Sequence, residues 1–84
     1  MSRLSRFVVY GFSTTHAALT AEEILKAAGL SVVPIPAPAR LGSVCGIALR
    51  VPFDLAQAAD AALDAAQLTA SGRFEIDDVV PDSR

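Results

Sequence analysis

Arg6 to Phe12 (RFVVYGF) is the first apolar run, rich in β-branched and aromatic residues, and it predicts a strand. Both of its faces are apolar, Phe7 and Val9 on one and Val8, Tyr10 and Phe12 on the other, which suggests a central strand. Ser13, Thr14 and Thr15 then offer hydroxyls for a helix N-cap. Ala18, Ala21, Leu25 and Ala28 recur at helical spacing with Ile24 beside them, while Glu22, Glu23 and Lys26 turn mostly outward. Gly29 ends this helix, because glycine adopts the left-handed conformation of a Schellman cap and lets Leu30 fold back on Leu25. Ser31 to Ile35 predicts a short second strand, and Pro34, which has no backbone donor, puts it at a sheet edge.

A loop, Pro36 to Val44 (PAPARLGSV), leads to a third strand from Cys45 to Val51. There Cys45, Ile47, Leu49 and Val51 alternate with Gly46, Ala48 and Arg50. Asp54 with Gln57 three residues on has capping-box spacing, and Phe53 is placed to staple onto Ala58. The second helix has Leu55, Ala58, Ala59, Ala62 and Ala66 as its inner face, with Gln57, Asp60 and Asp64 outside. After the turn at Ala70, Ser71 and Gly72, Arg73 to Asp77 (RFEID) predicts strand four, with Phe74 and Ile76 inward. The order β-α-β-β-α-β predicts an α+β, ferredoxin-like fold: a four-stranded antiparallel sheet with two helices on one face. Residues 1–77 form the single domain and 78–84 a polar, frayed tail.

Composition agrees with a folded globule: 84 residues, 52% hydrophobic and 19% charged. Net charge is −2, so there is no basic footprint for nucleic acid, and strand three lacks the aromatic platform that RNA-binding sheets use. The single cysteine excludes an intrachain disulfide. The N-terminal apolar run is too short for a signal peptide, and no stretch reaches the roughly 20 apolar residues of a membrane span. The expected compartment is the cytoplasm, with no membrane partner.

Cys45 is the main candidate for chemistry, and its residues allow two readings. As a buried thiol it is in phase with Ile47 and Leu49. As a functional thiol it sits where a Pro/Gly-rich loop meets a strand, with Gly46 giving a partner's backbone room and Arg40 favouring the thiolate. Amides around Gly42 to Gly46 also suit an anion-binding nest. His16 is the obvious base, but strand three lies parallel to strand one, which puts Cys45 about 20 Å away at the opposite end of the sheet, so His16 reads as a surface or helix-terminal residue and not as a partner of Cys45. One histidine and one cysteine make no metal cluster, and neither a metal nor a cofactor is expected. Glu22 and Glu23 point apart on their helix, and Asp60 with Asp64 reads as a solvated pair.

Phe12-Ser13-Thr14, Ala18-Leu19, Glu22, Gly29, Ile35-Pro36-Ala37-Pro38 and Ser43-Val44-Cys45-Gly46-Ile47-Ala48-Leu49-Arg50 together resemble the selenium/sulfur carrier protein-like family, small bacterial domains. The P-x-P…C-G-x-A-L-R portion is the specific part. The chain departs from the family in two places: Ala39 precedes Arg40, and the serines before the cysteine thin to Gly42-Ser43-Val44. The resemblance implies a carrier, not a stand-alone enzyme, holding a persulfide or selenosulfide on Cys45, with Gly46, Ser43 and Arg40 in support. It also implies a cysteine desulfurase-like donor enzyme and an acceptor enzyme. The competing reading is a non-catalytic interaction or ligand-sensing module in which Cys45 is structural. On that reading Val8, Tyr10, Gly46 and Ala48 form an open sheet face that takes a small ligand or a second copy of the chain.

Overall fold

The computed structural model describes residues 2–37 and 46–81. β1 (Ser2–Gly11) leads into α1 (Thr15–Ala27), β2 (Val33–Pro36) and β3 (Ile47–Pro52). A 3₁₀ turn (Phe53–Leu55), α2 (Ala56–Ala65) and β4 (Gly72–Pro81) follow. The four strands form one sheet in the order β2-β3-β1-β4, every neighbouring pair antiparallel, with both helices packed on one face. This is the ferredoxin-like α+β fold.

Hydrogen bonds at its two ends fix where α1 starts and stops. Thr14 caps α1, its hydroxyl accepting the Ala17 N–H at 3.0 Å. Gly29 has φ +79°, the Leu30 N–H donates to Leu25 O at 3.0 Å and the Gly29 N–H to Lys26 O at 2.9 Å: a complete Schellman cap. α2 ends by the same device, with Leu68 N–H to Leu63 O and Gln67 N–H to Asp64 O, both 2.9 Å. Its left-handed position is filled by Gln67 at φ 59°, where a side chain is strained. Gln67→Gly should therefore raise stability by about 0.5–1 kcal/mol, read as a higher denaturation midpoint with an unchanged slope.

The start of α2 differs from the expected capping box. Asp54 lies inside the 3₁₀ turn, Leu55 holds the N-cap position and neither makes a side-chain cap bond. Phe53 is 47% exposed, and Ala58, its expected staple partner, is exposed as well. The extra turn rotates the helix, so Ala56, Ala59 and Leu63 form its buried stripe and Ala58 and Ala66 are exposed.

β3 runs antiparallel to β1, not parallel as expected. In this topology β1 and β2 are parallel with a gap between them, and β3, hairpinned to β2, fills that gap in the opposite direction. The register pairs Val8 with Val51 and Tyr10 with Leu49, so Val8, Tyr10 and Phe12 face the helices. The expected placement of Val8 and Tyr10 on the open face is thereby corrected. The opposite face carries Phe7, Val9 and Ala48, already buried at 6%, 0% and 0% exposure, with the Arg50 guanidinium 4.3 Å from the Phe7 ring centre. Phe74 pairs with Val9 on that face, outside the helix-side core expected for it. β4 also continues past Asp77, pairing Asp78 with Ser5 and Pro81 with Ser2, so 78–81 belong to the sheet and not to a tail.

Candidate functional site

Segment 38–45, which joins β2 to β3, contains the candidate cysteine. The last ladder pair is Pro36 with Ile47, and the Ala37 N–H donates to Gly46 O at 3.1 Å, drawing together the two ends of segment 38–45. That segment holds Arg40, Ser43 and Cys45, which lie outside the described residues. Gly46, covalently joined to Cys45, is exposed, and a Cβ added there would meet nothing within 4 Å. A shallow concavity of about 270 Å³ opens beside it, lined by Pro34, Ile35, Pro36, Gly46 and Ile47. Pro34 and Pro36 remove two backbone donors from this edge, which makes it a poor template for an added strand.

His16 lies at the same end of the sheet. β1 ends on the pair Gly11–Ala48 and hands over to α1 there, while Gly46 lies two residues before Ala48. The expected separation of about 20 Å rested on a parallel β1–β3 pair, and the antiparallel register removes it. His16 is exposed in the first turn of α1. Topology therefore gives no ground for excluding it as a base.

A second polar constellation joins β1, α2 and β4. The Tyr10 hydroxyl donates to Asp60 Oδ1 at 2.6 Å, and Arg73 reaches the same carboxylate through Nε at 3.1 Å and a terminal nitrogen at 3.0 Å. Burial, then the Asp60 bond, pushes the Tyr10 phenol up to about 12. Burial alone would raise Asp60, but its bonds from Tyr10 and Arg73 outweigh that and hold its carboxyl below the ordinary value. At neutral pH the phenol keeps its proton and the carboxylate is committed to two donors. The group is a lock between sheet and helix, not a base. Asp60 is thus not simply solvated as expected; the signal for its partner is Tyr10 itself, a phenol on a core strand that must bond to something.

That lock has a pH signature. The unfolded phenol releases its proton near pH 10 and the folded one near 12, so its stabilisation is complete below pH 10 and lost between 10 and about 12. Unfolding free energy should drop by roughly 2–3 kcal/mol across that window, at about 1.4 kcal/mol per pKa unit. Denaturant titrations of wild type and Tyr10→Phe at pH 9 and 11.5 check this, since the variant should lose that slope.

The profile of the family described as "Putative Se/S carrier protein-like" matches residues 8–75, from the middle of β1 into β4. The chain belongs to this family. As a member of the Se/S carrier-like family, it has Arg40, Ser43, Cys45 and Gly46 all within the matched span. Among curated proteins, none is similar enough to count as a relative. The crystal structure of the regulatory subunit of aspartate kinase from Thermus flavus shares the fold, with TM-score 0.53 and 18% identity. The likeness covers 89% of this chain and 53% of that one, so the chain spans about half of that subunit. At that identity the likeness speaks for the fold alone. Among the described residues no three His, Cys, Asp or Glu side chains gather as a metal site would need, and no helix is long and apolar enough to cross a membrane.

Proposed function

We propose that the chain carries sulfur or selenium on Cys45, as a persulfide or selenosulfide, between a donor enzyme and an acceptor in the cytoplasm. The observation that carries this reading is the family match, which spans the Cys45-Gly46 junction. Two features support it. Gly46 is exposed at the β2–β3 turn, where a partner's backbone has room to approach. A single cysteine with no second thiol in the chain suits holding a transferred atom better than closing a disulfide.

The transfer balances without an added oxidant. The Cys45 thiolate attacks the terminal sulfur of the donor's persulfide, a new S–S bond forms on Cys45, and the donor leaves as its own thiolate. Delivery to an acceptor thiolate reverses the roles. Such a carrier needs an available thiolate and surfaces for its partners, because donor and acceptor supply the catalysis. Arg40 and Ser43 serve by favouring the thiolate and bonding the carried anion.

Incubation of the protein with a cysteine desulfurase and cysteine, followed by intact mass measurement, tests the reading. It predicts a gain of one sulfur atom, lost on reduction. No gain with any persulfide or selenium donor, together with a native thiol that does not react with a labelling reagent, leaves Cys45 structural.

A further inference from the structure

Two strands border the sheet, and they differ sharply as edges. β2 is four residues long and contains Pro34 and Pro36, which cannot donate to an added strand. β4 is ten residues long, with its only proline at its end, and its outer side meets no described strand. A long edge of this kind is a template for another strand unless it is blunted. The sheet face opposite the helices offers a partner less, because Phe7, Val9 and Ala48 at its centre are already buried.

We propose that β4 pairs with β4 of a second copy of this chain, antiparallel across a two-fold axis at Glu75, joining two sheets into one of eight strands. The occupant follows from the sequence of the edge. A two-fold axis normal to the sheet requires opposed residues to share a face, so the axis must pass through a residue position. Arg73, Glu75 and Asp77 lie on the helix side of β4, where Arg73 reaches Asp60 and Asp77 reaches Arg6. Phe74 and Ile76 lie on the other side, opposite Val9 and Phe7. With the axis at Glu75, Arg73 of each copy faces Asp77 of the other, and Phe74 faces Ile76. Both are favourable cross-strand pairs, opposite charges on one face and aromatic against β-branched on the other. An axis at Ile76 sets Glu75 against Asp77, and one at Arg73 sets the two arginines together. An axis at Phe74 leaves less strand paired, since β4 begins at Gly72.

The arginine and carboxylate side chains concerned are 41–58% exposed, so they are available to a partner. The one unfavourable directly opposed pair is Glu75 against its own copy, and Arg6, 3.4 Å from Glu75 in each chain, offsets part of it.

Introduced thiols test the register, in a Cys45→Ser background so that each is the sole thiol. Glu75→Cys places two sulfurs across the axis, where opposed Cα atoms are about 4.5–5.5 Å apart and a disulfide fits. Ile76→Cys places them diagonally, about 7–8 Å apart, too far to bridge. Under mild oxidation the first should become a covalent dimer and the second should remain uncrosslinked. Sedimentation of the reduced wild type should show a concentration-dependent dimer, and Glu75→Gln should tighten it several-fold by removing the like-charge contact. A wild type that stays monomeric at all concentrations, equal crosslinking by both thiols, or a Glu75→Gln dimer no tighter than wild type overturns the proposal. None of these readouts depends on whether Cys45 carries sulfur.

Discussion

Cys45→Ser folds as the wild type does and takes up no sulfur or selenium from a persulfide donor: the expected loss is complete. Serine preserves the size of the side chain, yet its hydroxyl does not ionise near neutral pH and gives no nucleophile to attack a sulfane sulfur. With no other thiol in the chain, no second residue takes over the load. Uptake is read by intact mass and folding by far-ultraviolet circular dichroism with a denaturant titration. A structural cysteine reverses this pattern. The stability of the serine variant then falls, because a buried thiol is replaced by a hydroxyl in need of a partner, and loading is absent from wild type as well.

Leu25→Ala should cost about 2–5 kcal/mol. Leu25 is fully buried where α1 meets the sheet, in one cluster with Tyr10, Phe12, Leu49 and Leu63. Its surroundings cannot collapse inward easily: Ala18 and Ala21 on the same helix face are also at 0% exposure and already bring the backbone close to the sheet. Leu25 also supplies the carbonyl that accepts the Leu30 N–H in the Schellman cap, so loosening it reaches the turn into β2. For a domain of this size, whose total stability is on the order of 4–13 kcal/mol, this is a large share. Chemical denaturation should show a lower midpoint, and a midpoint equal to wild type would mean the core is not built around this residue.

Element order, both helices, the edge position of β2 and the glycine cap of α1 were legible in the sequence, because each leaves a local mark. Gly29 after a helical repeat and Pro34 in a short strand are such marks. The facing of β1 left none. Phe7 and Val9 are as apolar as Val8 and Tyr10, so alternation cannot choose the helix side, and the choice is made by Leu49 and Val51 across the β3 ladder. The direction of β3 relative to β1 likewise follows from the hairpin with β2, not from any residue in β3. That direction moved His16 from the far end of the sheet to the end where Gly46 lies. Asp60 was misread for a related reason: its partners Tyr10 and Arg73 are 50 and 13 residues away, beyond any helical spacing. β4 outran its predicted end at Asp77 because Val79 and Val80, short of the alternation seen in Arg73 to Asp77, gain their pairing from Leu4 and Arg3 of β1.

Intact mass of the protein purified from its own cells, without reductant, tests the central claim most directly. The account predicts a fraction heavier by one sulfur or one selenium atom, located on the Cys45 peptide and discharged by a thiol reductant. A protein of unmodified mass in every preparation, with its Cys45 thiol unreactive toward alkylation until the chain is unfolded, would contradict it.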